Sequence, residues 1–452
     1  MRQGVSPLHL IFLSLVTGFF AVLSMLSPAV ARTWLVPGDW ASLQEALVAA
    51  QNADTVLAAA GLHSGPVDFL GKEVALRSQS GAALTSIVAD STCGLVRFVS
   101  GEGPDALLEG FTLAGGLCAG GDGVCGGALR VENASPTIRG CILRDNEALV
   151  GGAACLLGSG ARIESTVFLR NQAELGGALY AMGGAPVVVD ARFQDNAAVG
   201  ASFGGGVYVE DCAAQVEACA FLGNTARLGG ALVCRQHNDS LSTLARNSLC
   251  DNSADFGGGF YLNGGAPRLE GNIVAFSGEG EALWCQNSLP ELACNIFHGN
   301  AGGNAFCGTD AGGNLEEDPL FCNADTGDLR LQAASPAWST SCGVAGAFQV
   351  NCDGVDVPSP PRPASCVIAI KAAPNPFNPT TVLHLDLPVA GTVELACYNV
   401  LGCRERTLLS GSFLPEGHHA LSFSGEGLPA GLHFLRLESG TRHVVTRVLY
   451  LP

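Results

Sequence analysis

Charge is scarce in this sequence. Only 14% of its 452 residues are Asp, Glu, Lys or Arg, where about 25% is usual. The basic side is scarcer still: 23 Lys and Arg face 41 Asp and Glu, a formal net charge of −18. That balance argues against a nucleic-acid partner. Uninterrupted helical patterns of about 10–12 residues are missing from the chain's repeating part too, which points to strand there. After residue 31, no stretch reaches the roughly 18 uncharged apolar residues that a membrane span needs. What abounds is glycine, 60 residues, within a chain that is 48% apolar. Disorder is excluded by that apolar content, and collagen by the absence of a three-residue glycine period.

The N-terminus combines Arg2, a mostly apolar run from Leu8 to Met25, and the small-x-small signal Ala29-Val30-Ala31. It reads as a secretory signal peptide over residues 1–31, cut after Ala31, with an uncleaved anchor as the alternative. Secretion would place the 18 cysteines in an oxidising compartment that permits disulfides.

Paired glycines then set a register at 126–127, 151–152, 176–177, 205–206, 229–230 and 258–259. A polar turn closes each unit at Asn146, Asn171, Asn196, Asn224, Asn252 and Asn300. Eight residues before each Asn stand Ile138, Ile163, Val188, Val216, Leu244 and Leu292. Three before it stand Leu143, Phe168, Phe193, Phe221, Leu249 and Phe297. Two apolar columns that recur at a fixed period describe a solenoid. The short alternating runs between Gly, Asn and Asp predict three strands per coil, which gives a right-handed parallel β-helix. About nine coils are expected between Gly65 and Arg330, with like positions stacked about 4.8 Å apart. Ser42 and Glu45 form a capping-box pattern, so a short helix with Leu43, Ala46, Leu47 and Ala50 on one face should cover the first coil.

WLVPGDWASLQEALVAAQNADTVLAAAG, GEGPDALLEGFTLAGG, GGALRVENASPTIRGCILRDN and NLEEDPLF resemble secreted β-helix proteins of the pectate-lyase-like superfamily. The resemblance covers roughly residues 33–352 and implies the fold. Pectate-lyase types would need Asp ligands for calcium and a basic Arg or Lys, and polygalacturonase types a carboxylate pair.

Four prolines in Val355 to Ser365 mark a linker (355–365) after a β-helix domain at 32–354. Residues 366–452 alternate as short strands and predict a small β-sandwich. PNPFNPTT, YNVLGCRER, LPEGHHALSFSG and LPAGLHFLRLESG are similar to an Ig-like module resembling the flagellar hook-capping domain and the sorting domains of type IX secretion. That resemblance implies an exported protein whose last module meets an export machinery. His433, Cys403 and the Tyr-Leu-Pro end depart from the pattern.

No catalytic constellation stands out. Asp145, Asp195 and Asp251 fall in the turn register, where Asp is favoured for backbone reasons. Glu210 and Asp211 end a strand and could meet Asp195 or Gln236 on one face. Arg162, Arg170, Arg227 and Arg235 are of the type that grips a uronate carboxylate. Asp195, Glu210, Asp211 and Arg235 are therefore the binding candidates. Glu316-Glu317-Asp318 lacks the spacing of a calcium loop and reads as a capping turn, so calcium is left open and no cofactor is expected. Cys141 and Cys219 share an inward column about 14 Å apart, too far for a bridge, and should be core thiols. Local disulfide candidates are Cys118 with Cys125, Cys307 with Cys322, and Cys342 with Cys352, with connectivity open.

The expectation is an all-β chain, a right-handed parallel β-helix followed by an Ig-like sandwich. It would be secreted or on the outer surface, and monomeric. Its role would be non-catalytic, with a polysaccharide or cell-surface ligand. The alternative is a polysaccharide lyase or glycoside hydrolase working on the β-helix face.

Overall fold

A computed structural model describes residues 31–88, 94–118, 125–237, 241–348, 352, 369–387, 391–399, 404–415, 417–439 and 442–451. The signal-peptide, cleavage and linker expectations lie outside these residues.

The rod is a parallel β-solenoid of about 10 turns. Each coil visits three sheets in order. The first has twelve strands, from Thr33–Val36 to Thr309–Gly312. The second has ten, from Gly61–Ser64 to Ile296–His298, and the third nine, from Val67–Asp68 to Leu283–Gln286. Four coils add a short strand between the second and third sheets, such as Gln172–Leu175. The first strand is Thr33–Val36, which precedes the capping helix and pairs in parallel with Thr55–Ala58. Phe321–Asn323 and Asp328–Leu331 form an antiparallel pair, so Arg330 lies outside the parallel sheets.

Both predicted apolar columns point inward. Ile138, Ile163, Val188, Val216, Leu244 and Leu292 stack through the first sheet and are all buried. In the second sheet Phe168, Phe193 and Phe221 stack ring on ring, at centroid distances of 4.6 and 4.8 Å. Cys141 and Cys219 are buried free thiols, as expected of core residues.

Buried amides hold the corners. The Asn146 side chain donates to Asn171 Oδ1 at 2.9 Å, and the Asn146 backbone N–H donates to the same oxygen at 3.1 Å. Asn171, Asn196 and Asn224 repeat this with the next coil, up to Asn252. A second ladder runs through Asn247, Asn272, Asn295 and Asn314 at the corner between the first and second sheets. Each Oδ1 takes two donors from the preceding coil, which satisfies groups that burial would otherwise leave orphaned.

At the other corner the glycines are dictated by space. Gly151 has φ +61°, and a Cβ on Gly152 would run into the carbonyl oxygen of Gly177 one coil on. In the two units with three glycines, the left-handed residues are Gly204 and Gly257. The register is therefore one residue earlier there than the pairs 205–206 and 258–259 suggest.

The helix Leu43–Ala49 caps the rod. Ser42 accepts from the Glu45 backbone while Glu45 reaches back to the Ser42 N–H, and Leu43, Ala46 and Leu47 are buried.

Two of the disulfides join neighbouring coils, and two fasten the segment that follows them. Cys125 pairs with Cys155, Cys307 with Cys285, Cys342 with Cys294 and Cys322 with Cys352. None of the three local pairs expected from sequence forms, and Cys118 is disulfide-bonded but not to Cys125. Residues one coil apart lie side by side, whereas those a few positions apart are carried away along the strand.

The C-terminal residues form two antiparallel sheets of three and four strands. Leu383, Leu385 and Phe423 from one sheet and Leu395, Leu435 and Leu437 from the other share one buried core.

Candidate functional site

Three outer faces have three different fates. On the first sheet, Arg77, Glu109, Arg139 and Glu164 alternate in successive strands as an ion-pair ladder at 3.0–3.5 Å. On the second, the chain folds back and covers the sheet. Phe321, Leu329, Leu331, Ala337 and Ala345 pack on Ala220, Leu222, Ile273 and Ile296. Gly346 donates to Gly271 O at 2.8 Å, and the Cys294–Cys342 bridge fastens the segment. The third sheet keeps an outer face with polar, aromatic and charged side chains together.

Parallel register builds that face. Cys155, Tyr180, Tyr208, Val233, Tyr261 and Trp284 occupy one column of successive strands. Beside it run Met182, Glu210, Arg235, Asn263 and Gln286. Tyr180 and Tyr208 stack at 5.3 Å, roofed by Val150, Leu175, Phe203 and Leu228 from the neighbouring corner. The Cys125–Cys155 bridge closes one end of this cluster. At the other end Trp284 and Phe256 pair at 5.0 Å and remain 37% and 41% exposed.

The polar groups form one network. Tyr180 donates its hydroxyl to Glu210 Oε2 at 2.8 Å, and Arg235 Nη1 lies 3.3 Å from Glu210 Oε1. Arg235 also reaches the Tyr208 hydroxyl at 3.5 Å and donates from Nε to His237 Nε2 at 3.2 Å. Asp211 accepts the His237 backbone N–H at 2.6 Å. Burial, then the Glu210 acceptor, raises the Tyr180 hydroxyl well above the ordinary phenol range. Tyr208 is raised by burial and partly drawn back by Arg235. Glu210, Asp211 and His237 offer ligand atoms within 4.8 Å of one another, a group that could hold a divalent cation.

The structure therefore joins Glu210, Asp211 and Arg235 and leaves Asp195 elsewhere. Asp195 has φ +52° and follows the second-sheet strand Arg192–Gln194, in the turn role assigned to it. Gln236 turns inward to Cys212 O and Ser242 Oγ. The other candidate arginines face carboxylates: Arg162 meets Glu164, Arg170 grips Asp145 with two nitrogens, and Arg227 is 3.8 Å from Asp255. Asp318 accepts from Leu320 N–H at 2.8 Å, a turn contact. Tyr180, Tyr208, Trp284 and His237 escaped the sequence reading. Their signal was position: Tyr180 and Tyr208 each stand four residues after the left-handed glycines Gly176 and Gly204.

No protein-family model matches the chain, and no curated protein matches it closely enough to count as a relative.

Proposed function

We propose that the protein is exported and binds a polysaccharide or another cell-surface ligand along the outer face of the third sheet, without cleaving it. The observation that carries this is the partly exposed Phe256–Trp284 pair beside the polar column of Glu210, Arg235, Asn263 and Gln286. Aromatic surface flanked by fixed polar groups suits a sugar ring, which has an apolar face and a hydroxyl rim. Catalysis is the weaker reading, because Glu210 is held by Tyr180 and Arg235, and Asp211 is engaged by the His237 N–H. A general acid or base needs a proton it can exchange with substrate. The disulfides, among them Cys125–Cys155, Cys285–Cys307, Cys294–Cys342 and Cys322–Cys352, are compatible with an extracellular setting. Among the described residues no helix is long and apolar enough to cross a membrane.

Calorimetry against pectins, alginates and xylans tests the face. Trp284→Ala and Arg235→Ala should each weaken binding at least about tenfold, the scale of one lost well-placed contact. Binding that both variants leave intact would remove the face from consideration, and bond cleavage by the parent protein would favour the lyase or hydrolase reading. The C-terminal module is read as the export address. Deleting residues 366–452 should abolish surface delivery, and undiminished delivery would refute that role.

A further inference from the structure

Three side chains of metal-ligand type converge in the C-terminal module, away from the rod face. Cys397 lies on Gly391–Tyr398, Glu405 on Arg404–Leu414 and His433 on Gly431–Ser439. The first of these strands runs between the other two in the four-stranded sheet. Cys397 is opposite Arg406 on one side and Leu435 on the other, which brings Glu405 and His433 near its thiol. The Cys397 sulfur, a Glu405 oxygen and a His433 ring nitrogen all lie within 4.8 Å of one another. Cys397 and His433 are 0% and 2% exposed.

We propose that Cys397, Glu405 and His433 form a binding site for a borderline-soft divalent cation of the zinc type. Thiolate, imidazole and carboxylate are the donors that such ions take, and three protein ligands leave a fourth position for water. The ring is already oriented: His433 Nε2 contacts the Pro429 carbonyl at 2.8 Å, and Nδ1 faces Glu405 Oε2 at 2.7 Å. A backbone carbonyl on the far nitrogen is the usual outer partner of a ligating histidine, and it presents Nδ1 to the metal. Ligand atoms around a tetrahedral zinc stand about 3.4–3.7 Å apart, so Glu405 needs only to swing slightly away from the ring.

Charge balances in the bound cluster. A divalent cation cancels one thiolate and one carboxylate, leaving a neutral buried cluster. Binding forms the three metal–ligand bonds and releases the thiol proton and the proton shared by Nδ1 and Glu405. By contrast, the Cys141 and Cys219 thiols in the rod contact backbone carbonyls, Arg139 O at 3.3 Å and Glu217 O at 3.2 Å.

The test is a cobalt(II) titration of the full chain after removal of metal with a chelator. The expected result is one equivalent bound with a sulfur-to-cobalt charge-transfer band, displaced by zinc. Cys397→Ser should abolish the band, and His433→Gln should weaken cobalt binding at least about tenfold. His237→Ala, in the rod, should leave the band intact. Zinc should also raise the unfolding midpoint of the parent module and not that of Glu405→Gln, which keeps the size of the side chain. Absence of the band in the parent protein, or its survival in Cys397→Ser, would overturn the proposal.

Discussion

The first and third sheets share one parallel ladder and one spacing, yet their outer faces differ in kind. On the first, Arg77, Glu109 and Arg139 alternate in the open, with side chains 30–47% exposed. On the third, Tyr180 and Tyr208 stack under a roof of neighbouring residues and are 6% and 2% exposed. Register alone decides which side chains become neighbours. Solvent access decides what the contact is worth. An exposed ion pair contributes about 0–1 kcal/mol, whereas removing a buried aromatic ring costs about 3–5 kcal/mol.

The largest expected effect is at the roofed face. Tyr208→Ala should lower stability by about 3–5 kcal/mol in denaturant unfolding, because the cavity lies between Tyr180 and Val233. A loss below about 1 kcal/mol would make the two faces equivalent. Alkaline pH should separate them next. Tyr180 and Tyr208 have raised folded values, so their contribution is full below the unfolded value of about 10 and is lost as pH rises beyond it. The unfolding midpoint should fall above that pH, and the tyrosine share of the fall should vanish in a Tyr180→Phe/Tyr208→Phe variant. Interior thiols such as Cys141, raised by burial to about 11, would supply the remainder. The smallest effect belongs to the ion-pair ladder. Glu109→Gln should cost less than about 1 kcal/mol, and less again at high salt. A larger cost would show that the first face acts as a network rather than as separate pairs.

The columns were legible because inward positions admit few side chains, so Ile138, Ile163 and Val188 keep their type over 25-residue steps. The second amide ladder was not. Its column begins as Cys141, Thr166, Ala191 and Cys219 before asparagine takes over at Asn247, so only its later half carries a shared letter. Disulfides were misread because neighbours along the chain were weighed instead of neighbours across coils. Cys125–Cys155 and Cys285–Cys307 are 30 and 22 residues apart, close to one coil. At the candidate site the charges of Glu210 and Arg235 drew attention, while the tyrosines that hold them looked like ordinary strand residues.

The asparagine corner also governs where the rod can change size. Asn171 to Asn196 is 25 residues and Asn196 to Asn224 is 28, yet the amide contacts are 3.0 and 2.9 Å. The longer coil takes up its surplus between Asn196 and Gly204, where the strand Ala197–Phe203 pairs through a register shift. From Asn224 to Asn252 the step is again 28 residues and the contact again 2.9 Å. Here the surplus falls between Arg235 and Leu244, since Gly229 already follows Asn224 by the short interval. The pinned corners thus act as fixed anchorages, and the arcs between them are the natural places to graft a loop or an epitope without disturbing the stack.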